Sequence, residues 1–240
     1  MKLAHVIAAA LVALGAASAQ AASVEAIGNA TVQPGGVRTG GSGINFFNIE
    51  GADYGSFASY GAIRFDLSSL KAGFDAQYGV GGWVVDSVML SLTQSNAAFT
   101  NDGGVAVYFT NNDGVSLSAP SPLTYDGFAA DFADAQSVTS YTFTQVSSGT
   151  VDSYTLFSRS GTNSAGGNAL MADILADSTM TLALRETDAG VAATYAGFNN
   201  NSYAGPTLSI SVTAVPEPEA YALLLAGLGL VGAAARRRRA

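Results

Sequence analysis

Aspartate and glutamate are the side chains of residues 22–214 that could carry acid–base chemistry. This region holds sixteen of them and five Lys or Arg, but no Cys, and the one His of the chain is His5. A Ser-His-Asp triad, a cysteine nucleophile and a histidine-ligated zinc are therefore excluded between residues 22 and 214. A carboxylate pair about 5–10 Å apart across a cleft could cleave a glycosidic bond. Glu50 and Glu186 are the obvious candidates for such a pair.

Both glutamates also fit ordinary structural positions. Glu50 fits a charge in a loop, and Glu186 fits a solvent-facing residue of a strand. We therefore predict a protein that is not an enzyme and needs no cofactor. A glycan-cleaving enzyme with a carboxylate pair is the alternative.

Aromatic side chains offer a second kind of chemistry, because they can stack on the apolar faces of sugar rings. Tyr54 and Tyr203 stand beside Gly or Asn in predicted loops, where a side chain is readily exposed. We take these two as candidate ligand contacts. Trp83 opens an apolar strand and is predicted to lie in the core.

Two polar turns could hold calcium, which prefers carboxylate and carbonyl oxygens. They are TNDGG at 100–104 and TNNDGV at 110–115. Asp-Gly is also the usual pair of a tight turn, and no spaced Asp-x-Asp-x-Asp-Gly loop is present in the sequence. We predict turns at both places, with a bound Ca²⁺ as the alternative.

Short runs of alternating apolar and polar residues dominate residues 22–214. This is the pattern of half-buried strands joined by turns. They predict strands over 59–67, 83–94, 104–111, 141–146, 151–157, 179–186 and 207–213, with a further short strand after a turn at 112–114. Residues 167–178 have helical spacing and predict one short helix. The predicted fold is all-β: an antiparallel two-sheet sandwich over 22–214, with jelly-roll topology.

The charge of this region excludes one class of partner. Residues 22–214 have a net charge of −11, against −8 for the whole chain. A field of this sign repels phosphate backbones, so we expect no nucleic-acid partner.

The amino end has the three parts of a secretory signal peptide. Lys2 precedes an apolar run over 6–14, and the small residues Ala17 and Ala19 follow. We assign residues 1–21 to the signal peptide, with signal peptidase as the partner and cleavage before Gln20 or before Ala22.

The carboxyl end combines three different segments. Val215, Pro216, Glu217 and Pro218 are followed by an apolar stretch over 219–235 and a basic tail over 236–240. The apolar core over 220–235 would be about 24 Å long as a helix, against roughly 30 Å for a bilayer core, which is short but usable. We predict a single transmembrane helix there. Its stop signal would be Arg236, Arg237, Arg238 and Arg239, which would hold the tail in the cytoplasm.

This combination of a Val-Pro-Glu-Pro motif, an oily helix and four arginines resembles the PEP-CTERM sorting signal of exported bacterial proteins. The resemblance implies recognition by exosortase, a membrane cysteine transpeptidase, and removal of the tail. It also implies transient anchoring in the inner membrane and transfer to the cell surface or the extracellular polysaccharide matrix. The two prolines lack amide hydrogens, so this segment cannot continue a strand or a helix.

A second resemblance covers the middle of the chain. The stretches YGAIRFDLSSL at 60–70, VVDSVMLSL at 84–92 and GPTLSISV at 205–212 are similar to DNRLRE-type domains, jelly-roll modules of secreted bacterial proteins. The late Ser-Arg-Glu signature of that family is replaced here by YAGFNNNSYAGPTL at 195–208. The resemblance implies a carbohydrate-linked module, and no ligand residue is transferred from it.

Overall fold

The structure is a computed structural model that describes residues 19–39, 45–176, 178–215, 225–229, 232 and 236–237. Up to residue 215, the described part of the chain forms eleven β-strands and three α-helices. The strands are β1 (Gln20–Gln33), β2 (Gly36–Val37), β3 (Phe46–Glu50), β4 (Tyr60–Asp66), β5 (Trp83–Thr93), β6 (Gly103–Thr110), β7 (Gln136–Phe143), β8 (Val151–Ser158), β9 (Thr179–Glu186), β10 (Ala192–Ala196) and β11 (Thr207–Ala214). The α-helices are α1 (Ser68–Tyr78), α2 (Phe128–Asp131) and α3 (Ala165–Ala176), and 3-10 helices cover Ala52–Phe57 and Ala97–Phe99.

The strands form two sheets of unequal size. The larger has nine strands in the order β7-β6-β9-β4-β1-β11-β5-β8, with β2 added to β1, and the smaller is the pair β10-β3. The pairs β1–β4, β4–β9, β6–β9, β6–β7 and β5–β8 are all antiparallel. The predicted antiparallel, mostly β fold is confirmed, and the jelly-roll topology stays a prediction.

The large sheet curls until its two outermost strands meet. The rings of Tyr141 on β7 and Tyr154 on β8 stack with their centroids 3.8 Å apart. Since β7 and β8 stand at opposite ends of the strand order, this contact almost closes the sheet into a barrel.

The small sheet covers one face of the large one near β4. β4 is buried on both faces from Tyr60 to Ile63, as expected of a strand that lies between two layers. A Cβ atom placed on Gly61 would stand 2.7 Å from the ring of Phe47 on β3. Glycine at this position therefore allows the two layers to approach closely.

The sequence predicted one helix, but the structure contains more than one. The predicted helix over 167–178 is confirmed as α3, but α1 was missed. Leu70 and Phe74 of α1 are buried one turn apart, and Asp66 Oδ1 accepts a hydrogen bond of 2.9 Å from the Ser68 amide at its start. This apolar spacing and the preceding Asp were the available signals. The expected strand after the turn at 112–114 is also wrong, because residues 115–117 form no strand.

The chain divides into two compact units. One comprises Ala21–Ala72 and Val85–Ser211, and the other comprises the described residues among 1–20, 73–84 and 212–240. In the second unit Trp83 is buried against Phe74, with ring centroids 5.2 Å apart. Its indole Nε1 donates a hydrogen bond of 2.8 Å to Asp75 Oδ1. The prediction that Trp83 is a core residue is confirmed.

The terminal segments lie mostly outside the described residues. In the part of the chain that the structure describes, no helix is long and apolar enough to span a bilayer. The predicted transmembrane helix over 219–235 is described only at 225–229, which are helical, and at 232. That helix and the signal peptide over 1–21 stay predictions.

Candidate functional site

A cleft of about 660 Å³ opens in the larger unit beside the small sheet. It lies between β3, the 3-10 helix Ala52–Phe57 and the loop that follows β5. Its lining combines polar side chains with three aromatic ones: Arg38, Asn48, Glu50, Tyr54, Phe57, Asn96, Ala98, Phe99 and Thr100.

The alternation of β3 positions the polar residues of the cleft. Phe47 and Ile49 are fully buried, while Asn48 and Glu50, on the other face of the strand, line the cleft. Successive side chains of a strand point to opposite faces, so a single five-residue strand supplies both core and cleft. The pairing of β3 with β10, which places Asn48 opposite Thr194, holds this register.

Hydrogen bonds fix Asn48 at the floor of the cleft. Its amide Nδ2 donates to Glu50 Oε1 at 3.2 Å and to Thr194 Oγ1 at 3.0 Å. Its backbone N–H donates to Thr31 Oγ1 on β1 at 3.0 Å. Two buried acceptors here, Asn48 Oδ1 and Glu50 Oε2, have no hydrogen-bond partner in the described part of the chain.

A buried acceptor without a donor typically costs about 1–3 kcal/mol. Both oxygens are buried in the unliganded cleft, so a ligand with hydroxyl or amide donors would recover this energy once the two side chains turn toward it. A molecule that carries hydrogen-bond donors would therefore match the floor of the cleft.

Burial shifts the pKa of Glu50. Desolvation raises the pKa of this carboxyl above its ordinary value of 4.5, against smaller lowering effects of the hydrogen bond from Asn48 and the charge of Arg38. The folded protein thus binds the Glu50 proton more tightly than the unfolded chain does.

Glu50→Gln is expected to be more stable than the wild type at neutral pH. The pKa of Glu50 is higher in the folded than in the unfolded state. The free energy of unfolding of the wild type therefore decreases as pH rises from about 4.5 through the folded-state pKa. The glutamine variant lacks this loss. Urea unfolding at a series of pH values should show the stability difference growing in favour of Glu50→Gln as pH increases.

Arg38→Gln is the matched variant, and it should change the pH dependence of stability in the opposite direction to Glu50→Gln. It removes the cation that lowers the Glu50 pKa, so its stability should fall more steeply than that of the wild type over the same pH range. Parallel pH profiles for wild type and Glu50→Gln would contradict the assignment.

Three aromatic side chains form the apolar part of the cleft. Phe99 is 73% exposed, Phe57 61% and Tyr54 36%. Single exposed apolar residues are common on protein surfaces, but three aromatic rings around one concave site are typical of a binding surface.

The 3-10 helix that carries Tyr54 and Phe57 is tied to the loop before β10. The amides of Gly51 and Asp53 donate to the carbonyls of Val191 and Ala189 at 2.8 and 3.0 Å, and Tyr54 OH donates to the Gly190 carbonyl at 3.3 Å. The approach is so close that a Cβ on Gly51 would lie 2.2 Å from the Ala189 carbonyl oxygen. The two exposed rings therefore stand on anchored backbone.

The loop that carries Phe99 is also held in place. Ser95 N donates to the Thr194 carbonyl at 2.9 Å, Asn101 N donates to that of Ala192 at 2.9 Å, and Ala97 N donates to Ser148 Oγ at 3.3 Å. The side chain of Gln145 donates to the Ala97 carbonyl. The backbone on both sides of Phe99 is therefore held in place before any ligand arrives, which reduces the ordering that binding requires.

The predicted contact residues lie at two neighbouring cavities. Tyr54 lines the 660 Å³ cleft, and Tyr203 lines a smaller cavity of about 200 Å³. Asn96 lines both cavities. The sequence prediction missed Phe57, Phe99 and Asn48. The available signal for Phe99 was an aromatic residue inside a run of small and polar ones, SNAAFTNDGG at 95–104.

The two candidate glutamates lie in different surroundings. Glu186 accepts hydrogen bonds from Tyr125 OH and, at 3.4 Å, from Arg185 Nε. The guanidinium of Arg185 lies 5.0 Å from the centre of the Tyr125 ring, and burial together with Glu186 raises the pKa of Tyr125 to about 12. Among the described residues, Glu50 is the one carboxylate that lines the 660 Å³ cleft.

The two candidate calcium turns use their carboxylates in hydrogen bonds within the protein. Asp102 Oδ1 accepts from the amide of Gln145 at 2.7 Å, and Asp113 Oδ1 accepts from Thr181 Oγ1 at 2.5 Å. No group of three or more acidic, His or Cys side chains suited to a metal occurs in the described ranges. A bound Ca²⁺ at these turns stays the alternative to simple turns.

The remaining predicted positions lie at the chain ends. Val215 is 41% exposed and its amide donates to the Gly82 carbonyl at 2.8 Å; Ala19 is exposed, directly before β1. Arg236 and Arg237 are exposed and helical. The other predicted positions fall outside the described residues: Ala17, Pro216, Glu217, Pro218, Arg238 and Arg239.

Fold and termini together define a mostly β protein that carries a C-terminal sorting segment. The family model described as the PEP-CTERM protein-sorting motif matches residues 214–239, so the predicted sorting signal is confirmed. Residues 214–239 therefore carry a PEP-CTERM sorting signal, which implies an exported, transiently membrane-associated protein that an exosortase processes.

No curated protein matches the chain. One solved structure with some likeness is the K1 cleaved adhesin domain of Lys-gingipain (Kgp) from Porphyromonas gingivalis W83. The two are 11% identical with a TM-score of 0.26, over 82% of this chain and 99% of that one. A likeness at this level supports no statement about fold or function.

Proposed function

We propose that this exported protein binds polysaccharide at the 660 Å³ cleft, at the cell surface or in the extracellular matrix, without cleaving it. The observation that carries the proposal is the combination of exposed aromatic rings on anchored backbone with two buried acceptors that have no hydrogen-bond partner among the described residues. A sugar ring offers an apolar face for stacking and hydroxyl donors around its edge.

The proposal of binding without catalysis is supported by the acidic residues of the cleft. Glycosidases that act through two carboxylates need both at one site. Glu50 lines the cleft, whereas Glu186 is held in a separate cluster with Tyr125 and Arg185. Incubation with polysaccharides that bind should therefore release no new reducing ends.

Phe99→Ala should weaken polysaccharide binding about 10-fold, the effect typical of an anchoring aromatic residue. The double variant Phe57→Ala/Phe99→Ala should bind more weakly still. The measurement is a glycan array followed by calorimetric titration with the polysaccharides that bind.

Phe198→Ala is the matched control, since Phe198 is an exposed aromatic residue, 38% accessible, that lines a different cavity. It should bind like the wild type. Equal losses for Phe99→Ala and Phe198→Ala would contradict the cleft as the binding site. Absence of binding to every polysaccharide would leave a purely structural matrix role.

A further inference from the structure

The cavity at Tyr203 is a second concave site with the same chemistry. It has a volume of about 200 Å³, and Phe46, Ser95, Ser148, Asn200 and Tyr203 are among its lining residues. Aromatic rings and hydrogen-bonding groups thus recur here, as in the cleft. None of the described residues that line it is charged.

The loop that carries Tyr203 is held by one side chain. Asn200 Oδ1 accepts hydrogen bonds from the amides of Ser202 and Tyr203 at 2.8 and 2.9 Å, and Asn200 Nδ2 donates to the Asn45 carbonyl at 2.7 Å. The Tyr203 ring lies over Gly149, where an added Cβ would be 3.0 Å from its Cε1 atom. One part of the ring thus rests on bare backbone while 36% of the residue stays exposed.

Asn96 is the residue that the two cavities share. Its backbone is left-handed, with φ 53° and ψ 45°, a conformation that Asn adopts more readily than most residues. Its carbonyl accepts a hydrogen bond of 3.0 Å from the Phe99 amide, which places the exposed ring of Phe99 in the cleft. Directly before Asn96, Ser95 lines the Tyr203 cavity.

We propose that the two cavities are consecutive subsites for one linear polysaccharide chain that passes over Asn96. The two-subsite proposal rests on the proposed function. It adds that the bound polysaccharide must be long enough to reach both cavities and that it is uncharged. A linear polysaccharide repeats the same apolar faces and hydroxyl groups along its length, so one chain can satisfy both sites. Covalent linkage of the sugars makes occupation of the second site intramolecular, which raises affinity without any new kind of contact.

The charges of the two sites favour a neutral polysaccharide. Among the described lining residues, the cleft has one cation and one anion, Arg38 and Glu50, and the Tyr203 cavity has neither. A polyuronate would meet the strongly acidic surface of this protein without a matching set of cations. Binding should therefore depend only weakly on salt.

The test is the dependence of affinity on chain length. Oligosaccharide ladders from cellulose, chitin and dextran, from monosaccharide to octasaccharide, are titrated into the wild-type protein, with polygalacturonate as the acidic comparison. We expect affinity to rise about 10-fold or more over a narrow range of lengths. Tyr203→Ala should remove this rise while leaving the affinity for the shortest bound oligosaccharides unchanged.

Two variants complete the design. Tyr203→Phe keeps the ring and should retain the rise, and Phe198→Ala should behave like the wild type; thermal unfolding of each variant confirms that it is folded. An affinity that does not depend on length, or an equal loss for short and long ligands in Tyr203→Ala, would overturn the second subsite and leave the cleft intact. Failure of every ladder and every intact polysaccharide to bind would instead overturn the proposed function. Tighter binding of polygalacturonate than of the neutral oligosaccharides would overturn the inference that the ligand is a neutral polysaccharide.

Discussion

Replacement of Pro216 and Glu217 by alanine will leave the exported protein with its C-terminal segment attached. The sorting motif matches residues 214–239, and the substitution removes both the proline that ends the strand pattern and the one acidic group of the Val-Pro-Glu-Pro sequence. Proline has no amide hydrogen to donate, so the wild-type chain cannot extend β11 through position 216. We expect the processed fraction to fall from most of the protein to almost none.

The measurement is cell fractionation with intact-mass analysis of the protein in each fraction. The variant should stay with the membranes at full tail length, while the wild type loses the tail. Pro34→Ala is the control, because Pro34 is an exposed proline in the turn between β1 and β2, and it should be processed normally. Tail removal at the wild-type rate in the Pro216/Glu217 variant would contradict the role of the motif.

Tyr195→Ala should lower the free energy of unfolding by about 3–5 kcal/mol, the range for removal of a large buried aromatic side chain. Tyr195 is fully buried on β10. Its ring stacks on Phe47 with centroids 5.3 Å apart and meets Phe143 edge-on at 5.7 Å. It therefore joins the small sheet to the large one, and its loss would leave a cavity between the two layers.

Two other tyrosine variants separate packing from other effects. Tyr195→Phe removes only the hydroxyl, which lies 3.0 Å from that of Tyr141, and should cost about 1 kcal/mol. Tyr203→Ala removes a tyrosine that is 36% exposed, so it should lower the free energy of unfolding by less than Tyr195→Ala does. Urea unfolding measures all three. A Tyr195→Phe loss as large as that of Tyr195→Ala would mean that the hydroxyl pair, not the packing, is the main contribution.

The cleft depends on the same two-layer packing. β3 has one face against the large sheet through Phe47 and Ile49 and the other toward Asn48 and Glu50 in the cleft. Tyr195→Ala should therefore impair polysaccharide binding as well as stability. Phe99→Ala should affect binding alone, because its ring is exposed.

Several elements of the fold could be predicted because their signal is local. Strict alternation predicted β4, β8, β9 and β11, and helical spacing predicted α3. Helix α1 was missed, although Leu70 and Phe74 are spaced one turn apart, because it follows a strand pattern without a break. The expected strand over 115–117 failed because a turn sequence such as Asn112-Asp113-Gly114 favours a reversal without ensuring a paired strand after it.

The candidate site was only partly predictable. Tyr54, Tyr203 and Glu50 were each singled out from sequence, but as separate residues with different roles. Nothing local indicated that Glu50 and Tyr54 share a cleft with Phe99, which is 49 positions after Glu50 in the chain. Their proximity comes from the pairing of β3 with β10 and from the bonds that tie the loop after β5 to β10.

The sequence by itself determined that this chain carries a sorting signal and that its fold is rich in strands. The sorting motif is contiguous, and strand alternation repeats every two residues. Both patterns are local, so they can be recognised without knowing which distant residues are in contact. Only the tertiary structure decided which strands are neighbours, which aromatic rings are exposed and which polar atoms lack partners. These properties depend on side chains far apart in the chain, since strand order and burial are set by the packing of whole layers and not by any short segment.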